Sequence, residues 1–107
     1  MGLISSEKSP DINEGLIRFQ DTPGALLLDV RTPEEYAAGH VPGSRNLPLQ
    51  RITLIGETVS DTATPLFLYC HSGARSARAA KFLQKSGYTN VTNIGGMVAY
   101  NGKIEKL

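Results

Sequence analysis

The sequence predicts an α/β fold with a central, mostly parallel sheet and helices on both of its faces. Two observations carry that reading. The apolar runs 25–28 and 66–69 do not alternate with polar residues, as expected of strands covered on both sides. Segments with helical spacing or helix-start chemistry lie between them, and strands alternating with helices imply right-handed crossovers. The 107 residues suit a single domain over 1–107. That length can bury one core without disulfide or metal staples.

Each element has its own warrant. Ser9, Pro10 and Asp11 read as N-cap, first-turn proline and first-turn acid. Ile12, Leu16 and Phe19 then form one buried helical stripe. Gly15 weakens this helix, and Asp21-Thr22-Pro23-Gly24 ends it with turn chemistry. After the strand beginning at Ala25, Thr32-Pro33-Glu34-Glu35 is a capping box with proline preset at the first helical position. Gly39 is placed to stop that short helix.

His40-Val41-Pro42-Gly43 reads as a turn and Asn46-Leu47-Pro48 as a brief extended piece. Residues 49–59 mix helical spacing with β-branched side chains, which predicts one or two helical turns. Residues 60–64 are loop-like. The strand from Leu66 runs into Cys70, and a helix over 76–86 follows. Its Ala79, Phe82 and Leu83 face inward, its Arg78, Lys81 and Lys85 outward, and Gly87 closes it. Residues 90–94 read as a third strand, Gly95-Gly96 as a turn, and 97–100 as a last short helix.

Composition excludes several classes. Eleven basic against ten acidic residues leave a formal charge of +1. No global field recruits nucleic acid or an anionic membrane, so anion binding must be local. No apolar run approaches the length of a bilayer span. Cys70 is the one cysteine, so an internal disulfide, a CxxC redox pair and a multi-cysteine zinc site are all excluded. The first thirty residues lack a basic segment leading into an apolar one, and the expected setting is cytoplasmic. Met1 to Ser6 fits the loose N-myristoylation pattern, but without a polybasic neighbour it weighs little.

The chemistry concentrates at Cys70. Ligands of such folds gather beyond the carboxyl ends of the strands, where this cysteine lies. A Gly-containing loop, His71-Ser72-Gly73-Ala74-Arg75-Ser76, leads from it into a helix. The arrangement sets a sulfur before unpaired backbone N–H groups and the positive end of a helix dipole. The same field favours thiolate, the reactive form. Arg75 adds a charge and a planar fork of donors. The plainer alternative is a small buried hydrophobe, but a core filler needs neither Gly73, Arg75 nor the hydroxyls of Ser72 and Ser76.

The segment Tyr69-Cys70-His71-Ser72-Gly73-Ala74-Arg75-Ser76 closely resembles the active-site loop of single-domain rhodaneses. The resemblance runs from about Leu26 to Gly102. It includes Leu28-Asp29-Val30-Arg31 with Glu35-Tyr36, then Tyr36 to Leu47, then Gly87-Tyr88, Asn90-Val91 and Gly95-Gly96. Ser44 stands where alanine is usual, Tyr100 where tryptophan is frequent, and His71 is uncommon beside the cysteine. His71 has the chemistry to tune the loop near neutral pH, or it is an exposed loop residue without a special task.

The resemblance implies a three-layer rhodanese-like fold and sulfane-sulfur transfer in two half-reactions. Cys70 would take the outer sulfur of thiosulfate or a persulfide and pass it, as a Cys70 persulfide, to cyanide, a thiol or an acceptor protein. The loop from His71 to Ser76 would hold that sulfur. No cofactor or metal is implied, and neither nucleic acid nor membrane is an expected partner.

The resemblance gives Asp29 a supporting, loop-bracing role. Arg31 either meets an anionic donor or forms an ion pair at the strand end. His40 could serve as a base in a Cys–His dyad. Its turn motif points instead to scaffold, since a thiolate held by N–H groups needs no base. Two rivals stand beside sulfur transfer. A cysteine phosphatase would use a Cys-x5-Arg loop, whereas four residues separate Cys70 from Arg75, a tighter loop suited to one sulfur. A noncatalytic sulfur carrier or binding module would keep the cysteine but turn over free donors poorly.

Overall fold

A computed structural model describes residues 10–107. Asp11 opens helix α1 (Ile12–Gln20) by accepting the Asn13 N–H at 3.0 Å. Asp11, expected in the first turn, is therefore the cap, and Pro10 lies just outside the helix. Ser9 and the Met1 to Ser6 pattern lie outside the described residues. The chain continues through β1 (Leu26–Asp29), α2 (Pro33–Ala38), β2 (Arg45–Asn46) and a 3-10 segment (Leu49–Leu54). Then come α3 (Ile55–Thr58), β3 (Leu66–Cys70), α4 (Ala74–Lys85), β4 (Val91–Gly96) and a final 3-10 turn (Met97–Ala99).

The four strands pair in parallel in the order β2-β1-β3-β4. Alternate residues of the unalternating apolar runs feed two cores. Leu28, Leu66, Leu68 and Cys70 join Ala79 and Leu83 of α4 with Ile52 and Ile55. Leu27, Phe67 and Tyr69 pack on the opposite face with Ile12, Ile94 and Val41. A strand serving both cores has no polar face to show, which is why its sequence does not alternate. At about 25 cal/mol per Å² of apolar area, each fully buried leucine stabilises by about 2 kcal/mol.

The Thr32–Glu35 capping box forms as expected, with Thr32 and Glu35 each receiving the other's backbone N–H. Gly39 ends α2 in an extended conformation, not the left-handed one usual for a helix stop. Gly87 does close α4 left-handed, with its N–H on Gln84 O and that of Tyr88 on Leu83 O.

Gly95-Gly96 is a correction to the sequence reading. The pair lies in β4, opposite Tyr69 and Cys70, not in a turn. Register shifts between Leu68 and Tyr69, from Asn93 to Gly95, so Ile94 is an extra residue of a bulge. Glycine is needed because a Cβ on Gly96 would sit 2.1 Å from His71 O. Gly15 has a similar reason: its absent side chain admits Ile94, whose Cβ would lie 2.4 Å from an added one. What reads as a weak point in the helix is a close approach to the sheet.

Candidate active site

β3 ends at Cys70 and α4 begins four residues later, so the loop turns beneath the helix N-terminus. Gly73 makes the turn possible with φ 101° and a backbone passing Gly95. Its N–H donates to Cys70 Sγ at 3.0 Å. Ser76, fully buried, brings its hydroxyl to 3.5 Å from the same sulfur. Burial, at 1% exposure, pushes the thiol up. Hydrogen bonds from the Ser76 hydroxyl and the N–H groups of Ser76, Gly73 and Ser72 outweigh it and hold the thiol below its ordinary value. The cysteine is at once part of the core and the focus of the amides. His71 and Ser72 are exposed on the rim, and Ala74 starts the helix.

Arg75 differs from the expectation of a free anion fork. Its two terminal nitrogens grip Glu35 at 2.7 and 2.9 Å. The guanidinium holds the Glu35 carboxyl down at about 2. Arg75 still lies close enough to Cys70 for the two charges to favour each other. It supplies charge to the site while one N–H of each terminal nitrogen is engaged by α2.

Asp29 and Arg31 form a buried pair. Arg31 Nε donates to both Asp29 oxygens at 3.0 Å and Nη2 to Oδ2 at 2.6 Å. Nη2 also donates to Gly39 O at 2.7 Å. At 6% exposure Arg31 braces the end of α2 and does not reach out for a donor. The ion pair is thus the alternative that the geometry favours.

His40 Nδ1 lies 2.7 Å from Tyr36 O, and its ring stacks 3.7 Å from that of Tyr36. Its Nε2 is 3.8 Å from a Glu105 oxygen, and its backbone bridges to Glu105. These contacts make it a joint between α2 and the C-terminal segment. Ser44, the replacement for alanine, donates to Val41 O at 2.7 Å and meets the Tyr69 hydroxyl at 3.1 Å. It knits the turn after His40 to β3.

Sequence reasoning missed two residues. Glu35 was legible only as a cap, and its second task needs α4 beside it. Asn93 sits in β4, where its carboxamide touches Ser76 and Gly73. An asparagine inside an apolar strand, where its type is disfavoured, was the available signal.

The family model described as Rhodanese-like domain matches residues 13–103. YqhL of Bacillus subtilis (strain 168) is 42% identical over 82 residues, covering 76% of this chain and 64% of that protein. The thiosulfate sulfurtransferase PspE of Escherichia coli (strain K12) is 39% identical over 71 residues, 65% of this chain and 68% of that one. The putative sulfur carrier protein YrkF of Bacillus subtilis (strain 168) is 36% identical over 97% of this chain and 59% of its own length. This chain thus spans under two thirds of YqhL and YrkF. A solved structure described as rhodanese with anions from E. coli superposes with a TM-score of 0.71 and 35% identity, covering 77% of this chain and 98% of that one. Among the described residues no helix is long and apolar enough to cross a membrane.

Proposed function

The chain belongs to the rhodanese-like domain family, and from that premise we propose that it transfers a sulfane sulfur through Cys70. One observation carries the reading: the Gly73 N–H and the Ser76 hydroxyl converge on Cys70 Sγ at the N-terminus of α4. A sulfur so placed is favoured as an anion, which is what both half-reactions need.

In the first half-reaction the Cys70 thiolate attacks the outer sulfur of thiosulfate. The S–S bond of the donor breaks, sulfite leaves with the bonding pair, and Cys70 becomes a persulfide anion. In the second, an acceptor such as cyanide attacks the terminal sulfur, and the Cys70 thiolate leaves with that pair as thiocyanate forms. The amides of the loop from His71 to Ser76 stabilise the negative sulfur in both steps. Asp29 and Arg31 support the scaffold around α2. Arg75 adds positive charge beside the sulfur, with two of its five N–H groups engaged by Glu35. The four residues between Cys70 and Arg75, one fewer than a cysteine phosphatase uses, argue against that rival.

Intact-mass measurement after incubation with thiosulfate or glutathione persulfide tests this. The wild type should gain one sulfur atom that cyanide removes, and Cys70→Ser should not. An unmodified wild type would overturn the reading.

The burial of Cys70 and the likeness to YrkF favour a second reading, a carrier that hands its sulfur to one acceptor protein. Loading of Cys70 with negligible steady-state transfer to cyanide would select it.

A further inference from the structure

Asn93 makes no hydrogen bond to Cys70 itself, yet its carboxamide holds three hydrogen bonds around the sulfur's support. The Gly95 N–H donates to Oδ1 at 3.0 Å, which fixes which end of the amide is oxygen. The Nδ2 end then donates to Gly73 O at 3.2 Å, steadying the residue whose own N–H meets the sulfur. Ser76 Oγ lies 2.7 Å from Oδ1, and against that oxygen the hydroxyl must be the donor.

Ser76 therefore has one proton and three acceptors. Asn93 Oδ1 lies at 2.7 Å, Gly73 O at 3.1 Å and Cys70 Sγ at 3.5 Å. A neutral thiol is a weak acceptor, so with Cys70 protonated the hydroxyl proton belongs on Asn93. Ser76 Oγ then offers a lone pair to the thiol proton. An anionic sulfur reverses the order, because charge-assisted hydrogen bonds are about twice as strong as neutral ones. The hydroxyl can turn to the sulfur by rotating one bond. Asn93 Oδ1 keeps the Gly95 N–H meanwhile, so no buried group is orphaned.

We propose that Asn93 is a positioning residue acting through Ser76: it holds the hydroxyl proton while Cys70 is neutral and yields it when the sulfur is a thiolate or persulfide. This rests on the sulfur-transfer reading. The charged and titratable groups around Cys70 are Arg75 on α4 with its partner Glu35 on α2, the Asp29–Arg31 pair at the end of β1, and the adjoining His71.

The test is the effect of Ser76→Ala on the ionisation of Cys70, read from pH-dependent alkylation. It is measured in three backgrounds: the native protein, Asn93→Asp and Asn93→Ala. Those charged groups are common to all six proteins, and the carboxylate that Asn93→Asp adds is present with and without Ser76→Ala, so it cancels within that pair. A carboxylate grips the hydroxyl hardest and a methyl group not at all. Ser76→Ala should therefore weaken ionisation least beside Asn93→Asp, more beside the native asparagine, and most beside Asn93→Ala. Between the last two the effects should differ by about threefold or more, the scale of one modest hydrogen bond. If Asn93→Ala does not fold, Asn93→Leu, which keeps the volume and likewise offers Ser76 no acceptor, takes its place against the native protein. Equal effects across the series, or the opposite order, would overturn the proposal, since a merely structural asparagine would alter stability without changing what Ser76 contributes. Failure of the wild type to load sulfur would overturn the transfer reading alone, because the alkylation order is measured without a donor.

Discussion

Glu35 and Arg75, 40 residues apart in sequence, meet in a two-pronged ion pair that ties the first turn of α2 to the first turn of α4. The same carboxylate closes the Thr32 capping box. One side chain thus serves a local motif and the register between two helices.

Stability against acid should report that pair. The Glu35 carboxyl falls from 4.5 to about 2 on folding. A lowered carboxyl contributes fully above its unfolded value and loses that contribution as pH falls through the folded one. The window is therefore about pH 4.5 down to 2. Because the pair is about one-third exposed, solvent screening reduces its contribution to about 1 kcal/mol. Urea denaturation of Glu35→Gln should show a flatter pH dependence across that window than the wild type.

Freeing Arg75 should help an anionic donor. Glu35→Gln removes the charge that neutralises the guanidinium, so the KM for thiosulfate should fall severalfold at low ionic strength, with the gain lost as salt is added. Arg75→Ala should raise that KM and also destabilise the fold by about 1 kcal/mol. Steady-state kinetics at two salt concentrations, with denaturation curves, measures both.

Asp29→Asn should be far more damaging than any change at the Glu35 pair. It strips the counter-charge from a guanidinium 6% exposed. Breaking a buried pair from one side costs about 3–5 kcal/mol. Chemical denaturation should show that loss.

Gly96→Ala should damage chemistry through the backbone. The added Cβ would lie 2.1 Å from His71 O and 2.7 Å from Ser72 Cα, forcing the loop away from its place. A displacement of about 1 Å can cost about 10²-fold in rate. Sulfur loading of Cys70 should slow on that order, and alkylation should show a thiol moved up towards its ordinary range.

Local features were legible where the chain carries their cause within a few residues. The Thr32–Glu35 box, the Gly87 stop and the exposed lysines of α4 were all readable in this way. The loop from Cys70 to Ser76 could be identified because strand, glycine and helix start are contiguous. Errors arose where one element answers to another. Gly95-Gly96 looks like a turn in isolation, but Gly96 exists for the loop that crosses it, and Gly95 for the Pro10 carbonyl and a left-handed backbone at φ 106°. Arg75 looks free until α2 lies beside it, and the two readings of Arg31, donor contact or ion pair, part only once Asp29 and Gly39 O are seen against it.

The sequence alone determined the α/β architecture, the family resemblance and the position of the sulfur before a helix start. These follow from periodicity, capping and the order of residues along one strand–loop–helix unit, all short-range properties of the chain. Only the tertiary structure decided how the charges pair and which hydroxyl and amides reach Cys70. Those choices depend on distances between segments far apart in sequence, and hydrogen bonds and buried ion pairs form or fail over a few tenths of an ångström.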